Sequence, residues 1–253
     1  MIKRFLLKTL NQLGYHLIRI TPPGPAIPDH SLPDAKCYQP FFCPWYVDAE
    51  FNRAFSLVSP TTIVTIDRCH ILWTLAAQAM NVAGDFWECG VYKGGTARLL
   101  AESIAAHRSG KHLHLFDTFG GMPVTGAKDF HHEGDFSDIS LNVVRRNVGH
   151  TGFVHFHQRK IPDTFDNNDQ QRIAFAHIDV DIYQSIHDCC HHIYPRLSPG
   201  AMMVFDDYGF PSCPGARKAV DEFFHDKPER PLVLPTAQAI VIRLGAWSQD
   251  VNP

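Results

Sequence analysis

Several things are missing from this 253-residue chain, and each absence narrows what it can be. No stretch of about 18 apolar residues occurs, so no segment reads as a membrane-spanning helix. Charge of one sign is lacking too. Lys and Arg total 23 against 26 Asp and Glu, a formal net charge of −3, so no basic field points to nucleic acid as a partner. Seven cysteines (37, 43, 69, 89, 189, 190 and 213) include no CxxC pair. An odd count without that spacing reads as reduced thiols in a cytoplasmic protein, and Cys189-Cys190 as helix packing. Internal repeats, low complexity and a second-domain boundary are absent as well. Hydrophobic residues make up 45% and charged residues 19%, a globular composition. The sixteen histidines are scattered and do not read as a metal cluster.

Residues 1–20 carry Lys3, Arg4 and Lys8 around a face of Phe5, Leu6, Leu10, Leu13 and Leu17. The apolar core is broken by Lys8, Asn11 and Gln12, and no small-residue cleavage site follows, which argues against a signal peptide. An amphipathic helix is expected. It suits peripheral contact with an anionic membrane surface; packing on the protein body or on a second copy is the plainer reading. Residues 21–47 hold seven prolines and form an extended connector without helix. Residues 48–253 are expected to form a single domain.

That domain is organised around Asp85-Phe-Trp-Glu-Cys-Gly-Val-Tyr-Lys-Gly-Gly-Thr96. An apolar run carries an acid, breaks at Gly90, and passes through Lys93-Gly94-Gly95 into a helical pattern reaching His107. A strand, a glycine turn and a helix in that order place the turn at the carboxyl end of a strand, where ligands bind in open α/β sheets. Glycine allows positive φ and close backbone approach to a ligand; an ordinary βα turn has the same look.

Helices are expected over 49–58 and 66–80, the second carrying Arg68 and His70 near its start. Both side chains read as solvated, with an active-site mouth as the alternative. Further strands are expected at 112–117, 153–157, 173–179 and 201–206. Helices are expected at 95–107, 140–147, 185–197 (closed by Ser-Pro-Gly200) and 214–225. A closing antiparallel pair falls at 231–234 and 239–244. Repeated βα units of this size imply a parallel sheet with helices on both faces.

Acids recur at the strand ends: Glu88, Asp117, Asp179 with Asp181, and Asp206 with Asp207. In a parallel sheet these ends share one edge, so acids far apart in sequence meet in one cleft. Asp117 ends the second strand, where Rossmann-like proteins hold ribose hydroxyls; a turn or cap acid is the plain alternative. The remaining carboxylates would repel one another unless their pKa values rise or a cation neutralises them. All-oxygen ligands suit Mg²⁺. A metal there lowers the pKa of a substrate hydroxyl.

Four segments together resemble the macrocin O-methyltransferase family: Glu88–Gly95, Phe116-Asp-Thr-Phe-Gly-Gly-Met-Pro123, Ile178-Asp-Val-Asp-Ile-Tyr183 and Gly200-Ala-Met-Met-Val-Phe-Asp-Asp-Tyr208. The resemblance covers residues 50–245. It implies a Rossmann-like class I methyltransferase fold, with a mostly parallel seven-stranded sheet. It also implies S-adenosylmethionine and Mg²⁺ as cofactors, and methyl transfer to a hydroxyl of a sugar or glycosylated natural product. By that resemblance, Glu88, Gly90 and the turn Tyr92, Lys93, Gly94, Gly95 and Thr96 cradle the methionine part of the cofactor. Asp117 and Thr118 hold the ribose, and Ser137 and Asp138 border the adenine. Asp179, Asp206 and Asp207 bind Mg²⁺, and Asp181 is the general base. The partner is then a small-molecule or glycan acceptor, not nucleic acid, in a chain free to self-associate. Substrate choice is expected in the hard-to-align segment 123–135 and in residues 40–70.

Competing readings stand beside this one. A catechol or phenol methyltransferase would line its acceptor pocket with aromatics, for which Trp45, Tyr46, Tyr183 and Phe210 are the candidates. An NAD-dependent oxidoreductase is disfavoured because the first turn lacks GxGxxG. A non-catalytic binding module is disfavoured by the full carboxylate set, which is costly to bury without a task.

Overall fold

The computed structural model describes residues 42–150, 152–165 and 171–245. The helix expected over 1–20 and the connector over 21–41 lie outside the described residues. The end of the connector forms a single 3₁₀ turn at Pro44–Tyr46, with proline opening it. Helix α1, Ala49–Val58, starts where Asp48 caps it: the Phe51 N–H donates to Asp48 Oδ1 at 2.9 Å. It buries Phe51, Ala54 and Val58 on one face. Helix α2, Ile66–Ala79, buries Cys69, Leu72, Trp73, Ala76 and Ala79 in the same spacing.

Strand β1, Asp85–Cys89, feeds α3, Gly95–His107. Then follow β2 (Leu113–Asp117), α4 (Leu141–Val148), β3 (Val154–Gln158), β4 (Ile173–Ile178) and α5 (Tyr183–Ile193). The chain closes with β5 (Leu197–Phe205), α6 (Pro214–Phe224), β6 (Leu232–Val233) and β7 (Ala239–Ile242). The sheet has seven strands in the order β3-β2-β1-β4-β5-β7-β6. Strands β1 to β5 are parallel, and β7 runs antiparallel to both β5 and β6. This is the expected α/β architecture, closing antiparallel pair included. All six residues of β4 are buried, which is why it reads as a continuous apolar run rather than an alternating one.

Neighbouring residues of a strand face opposite layers. Phe86 packs with Leu113, Leu115 and Phe175 beneath α2, α3 and α4. Trp87 packs with Phe116, Phe165 and Phe205 beneath α5 and α6. Each fully buried phenylalanine contributes roughly 1.5–3 kcal/mol, so the two layers together clamp the sheet. No helix of the described residues is long and apolar enough to cross a membrane.

One stretch departs from expectation. The helix expected over 185–197 ends at Ile193, and β5 already begins at Leu197. Pro195 has no N–H to continue the helix, and Tyr194–Arg196 tightens into a 3₁₀ turn instead. The Ser-Pro-Gly200 segment, expected as a closing turn, is the irregular start of the strand. Pairing jumps from Ile173↔Leu197 to Phe175↔Met202 across it. The Gly200 N–H donates to the Arg243 carbonyl at 2.8 Å.

The order of strands reverses between β1 and β4, so their carboxyl ends open a crevice there. Cys89 pairs with Ile178 as the last rung. Gly90 and Asp179 are therefore the first residues past the sheet, side by side.

Candidate active site

Gly90 sits at φ +84°, and a Cβ on it would stand 1.8 Å from the Asp179 carbonyl oxygen. Gly95 is packed as tightly, with a Cβ position 2.5 Å from Thr62 Cβ. These glycines admit neighbouring chain, a different reason from the ligand approach expected of them. Gly94, at φ +83°, turns the chain into α3.

The acid at the end of β2 locks this turn in place. The N–H groups of Val91 and Tyr92 donate to Asp117 Oδ2 at 2.7 and 3.2 Å, and that of Phe119 to Oδ1 at 2.7 Å. A carboxylate accepts about four hydrogen bonds, so Asp117 keeps capacity for one more partner. Thr118 Oγ1 stands 3.3 Å from Oδ1, but its single proton has a shorter bond to the Gly121 carbonyl at 2.6 Å.

A cavity of about 300 Å³ runs along the carboxyl edge of the sheet. Its wall includes Gly90, Tyr92, Lys93, Gly95, Thr96, Asp117 and Thr118 at one end, and Asp179, Asp181 and Asp207 at the other. Five residues expected at the site are not on that wall. Glu88 is wholly buried in the sheet, where His177 Nδ1 holds its Oε1 at 2.8 Å. It lies behind the cavity wall, with Oε2 buried and without a hydrogen-bond partner. Gly94 packs behind the turn against Val144 and Val148. Ser137 abuts Gly121. Asp138 is ion-paired to Lys93 Nζ at 2.8 Å and accepts from the Tyr92 hydroxyl at 2.9 Å, latching the turn from outside. These bonds hold the Asp138 carboxyl below its usual range and raise Lys93 to about 12. Asp206 is the fifth.

The carboxylate cluster is real, but its internal arrangement differs from the one expected. Asp179, Asp206 and Asp207 were to share one cation. Asp179 and Asp206 do bring ligand atoms within 4.8 Å of each other, together with His177, but Asp207 is not in that group. The reason is that Asp206 already has cationic partners. Its Oδ2 is ion-paired with the Arg68 guanidinium. Its Oδ1 accepts from Gln238 Nε2 at 2.8 Å and lies 3.5 Å from His177 Nε2. Burial alone would raise Asp206, but His177, Arg68 and Gln238 together hold it below the carboxylate range.

Its neighbours lack such compensation. Burial, then the charge of Asp206, lifts Asp179 well above its ordinary value. Burial, then Asp181 and Asp179, does the same to Asp207. Asp181 is also raised by burial, against the pull of His131. Glu88, Asp179, Asp181, Asp206 and Asp207 thus gather around two close cationic side chains, Arg68 and His177. Oxygen donors in excess of positive charge, at an edge open to a cavity, fit a hard divalent ion. Residues Gly90 to Thr96 and Asp117 likewise fit a nucleoside cofactor at the other end.

Arg68 corrects a sequence reading: it is 8% exposed and faces the acids, not solvent. His177, His131 and Cys213 were not anticipated at all. His177 bridges Glu88 and Asp206. Burial works against its charge, yet the Asp206 carboxylate 3.5 Å from Nε2 and the hydrogen bond with Glu88 hold its pKa at about 10. A histidine inside the apolar run Ile-Ala-Phe-Ala-His177-Ile was the available signal, since a buried ionisable group needs a partner. His131 reaches Asp181 Oδ1 with Nε2 at 3.6 Å and Asp135 Oδ2 with Nδ1 at 3.3 Å. The Cys213 thiol donates to Asp181 Oδ1 at 3.4 Å. Asp129 Oδ1 accepts from the Tyr183 N–H at 2.8 Å and ties the 124–136 loop to the start of α5. Asp181 itself adopts φ +57°, with its N–H donating to Asp207 Oδ2 at 3.0 Å. Of the four aromatic candidates only Phe210 lines the cavity; Tyr46 is 76% exposed, and the Tyr183 hydroxyl donates to Glu222 at 2.6 Å.

Comparison with known proteins agrees with this geometry. The family model described as macrocin-O-methyltransferase (TylF) matches residues 60–233. The 8-demethyl-8-(2,3-dimethoxy-alpha-L-rhamnosyl)-tetracenomycin-C 4'-O-methyltransferase of Streptomyces olivaceus is 30% identical over 158 residues, 57% of this chain and 59% of that protein. This chain therefore spans under two thirds of that relative. The mycinamicin III 3''-O-methyltransferase of Micromonospora griseorubida is 31% identical over 179 residues, 64% of this chain and 69% of the other. Among solved structures, the O-methyltransferase NovP superposes with a TM-score of 0.65 at 25% identity, covering 73% of this chain and 83% of its own. Calicheamicin methyltransferase CalS11 shares the fold at 20% identity, TM-score 0.59, over 76% and 91% of the two chains. A family match that spans the first turn, the acids at the strand ends and most of the domain leaves one conclusion: the chain belongs to the macrocin O-methyltransferase family.

Proposed function

We propose that this protein is an S-adenosylmethionine-dependent O-methyltransferase acting on a sugar hydroxyl of a glycosylated natural product, assisted by Mg²⁺, with Asp181 as general base. One observation carries the reading. A single cavity joins the Gly90–Thr96 turn and Asp117 to Asp181, so a cofactor seated at one end presents its methyl toward a base at the other. The relatives support the substrate class: one is named for position 4' of a rhamnosyl-tetracenomycin, the other for position 3'' of mycinamicin III.

S-adenosylmethionine supplies a methyl already activated on a sulfonium, so the protein's task is position and proton removal. Asp117, fixed by three backbone N–H groups, has one acceptor site left for a ribose hydroxyl. The turn from Gly90 to Thr96 shapes the pocket for the methionine end. Asp179 and Asp207, on the cavity wall, would offer oxygens to Mg²⁺, with Asp206 held behind them by Arg68 and Gln238; the charge of the ion would lower the pKa of an alcohol beside it. Asp181 takes the proton from that alcohol. Its own raised pKa strengthens it as a base, and His131 at 3.6 Å supports its charge. A phenol needs less help with proton removal than a sugar hydroxyl, so a base beside a carboxylate cluster suits the sugar.

Calorimetry with S-adenosylhomocysteine tests the cofactor half. Binding by the native protein, weakened at least tenfold in Asp117→Asn, is expected. Tight NAD binding in its place would end the reading.

A further inference from the structure

At the β3 edge of the sheet, opposite the β6 edge, β3 and the start of β2 carry a ladder of imidazoles that the methyl-transfer reading does not use. His112, the residue just before β2, and His114 within it alternate with His155 and His157 along β3, all four on one face. Parallel pairing sets His114 opposite His155 and Phe116 opposite His157. The rings interleave: the His155 ring lies 5.0 Å from that of His112 and 4.9 Å from that of His114. The His157 ring lies 5.3 Å from His114 and 4.5 Å from Phe116.

The spacing of the nitrogens is the informative part. His112 Nδ1 stands 2.8 Å from His155 Nε2, and His114 Nδ1 stands 3.1 Å from His157 Nε2. Two imidazole nitrogens bound at about 2.0–2.1 Å to one ion, at a right angle, are about 2.9 Å apart. The tetrahedral angle preferred by structural zinc would need about 3.4 Å. The bite therefore fits square-planar or octahedral ions that favour nitrogen, Cu²⁺ and Ni²⁺.

The outer pair is accessible: His112 and His155 are exposed, whereas His114 is buried. Asp85 brings negative charge to the same corner. Its Oδ1 accepts from the His112 N–H at 2.9 Å, and its Oδ2 lies 3.9 Å from His114 Nε2. Loading needs no redox step. In each N–H···N pair one ring is the donor and the other the acceptor; moving the donor's proton to its outer nitrogen turns both inner nitrogens into bare acceptors. Burial, then the neighbouring His114, holds His155 and His157 below the ordinary imidazole range, His157 at about 4, so both are neutral at pH 7.

The geometry points to a second metal site on this protein, independent of the active-site acids: a divalent transition ion of the Ni²⁺/Cu²⁺ class, chelated across β2 and β3 by His112 and His155. It would pin the edge strand β3 to its neighbour.

The test is titration of the full chain with Ni²⁺ in excess Mg²⁺, which occupies hard oxygen sites. The expected result is one equivalent of Ni²⁺ taken up with a rise in melting temperature. Both should be lost, or weakened at least tenfold, in the double variant His112→Gln/His155→Gln. His191→Gln should leave both intact; it breaks a close histidine pair elsewhere, His187 and His191 on α5, whose rings are 4.1 Å apart. The two substituted residues are exposed, and circular dichroism is the check that the variant is folded. No uptake by the native protein overturns the proposal. So does uptake that survives the β2/β3 double variant, or that disappears in His191→Gln.

Discussion

Arg68, at the start of α2, is ion-paired to Asp206 Oδ2 at the end of β5 across 138 positions of sequence. The two side chains are 10% and 0% exposed. This pair positions the whole acidic edge. It commits the Arg68 guanidinium to Asp206, while Asp181 faces His131 instead.

Removing one half of a buried pair strands the other, at a cost of about 3–5 kcal/mol. Arg68→Ala should therefore lower the melting temperature by roughly 6–20 °C for a domain of this size. The double variant Arg68→Ala/Asp206→Asn should recover part of that loss. A fall equivalent to less than about 1 kcal/mol in the single variant would show the pair to be incidental.

Asp181→Asn should keep S-adenosylhomocysteine affinity and lose about 10²–10⁴-fold in turnover, the usual contribution of a general base. His131→Gln should leave more activity but move the acid limb of the pH–rate profile upward. His131 pulls the Asp181 pKa down, so without it ionisation of the base needs a higher pH. An opposite charge at this range is worth about one pH unit or more. An unmoved acid limb would separate His131 from the base.

His177 makes stability depend on pH at the alkaline side. An unfolded histidine titrates near 6.5, and here the nearby Asp206 carboxylate and the hydrogen bond with Glu88, overcoming burial, hold the folded value at about 10. Between those values the folded protein binds the extra proton, so stability is full below about 6.5 and is lost as pH rises through 10. Melting curves from pH 6 to 10.5 should fall for the native protein. His177→Gln should start lower and run flatter. Parallel curves would contradict this account.

Gly90→Ala asks whether the first turn tolerates a side chain. The new Cβ would strike the Asp179 carbonyl from a φ of +84°. Overpacking and left-handed backbone each cost about 1–3 kcal/mol. The variant should melt several degrees lower and bind S-adenosylhomocysteine poorly, because Asp179 must move. Native stability with native affinity would mean the chain here has slack.

Much of the fold was readable from local pattern. Apolar runs at β1 and β4, helical spacing in α1 and α2, and the glycine turn between β1 and α3 all depend on near neighbours, and the resemblance supplied their order. The site was readable only in part. Asp117, Asp179, Asp181 and Asp207 stand on the cavity wall because strand ends share an edge. Arg68 stands one turn before Leu72 and two before Ala76, so helical spacing placed it on the buried face of α2; its charge argued for solvent, and only the distant Asp206 explains why it is buried. His131 lies in a loop with no period at all. The Leu197 start of β5 was hidden by Ser-Pro-Gly200, a sequence that suits a turn and here serves as a bulged strand. Gly90 and Gly95 carried a correct signal with a different cause, chain against chain.

Methyl transfer itself is the most direct measure of the central claim. Labelled S-adenosylmethionine is offered with a panel of glycosylated natural products, in EDTA and then with Mg²⁺ restored. The account predicts label on a sugar oxygen only with Mg²⁺ present, and its loss in Asp181→Asn. Full transfer in chelator, or transfer that survives Asp181→Asn unchanged, would contradict it.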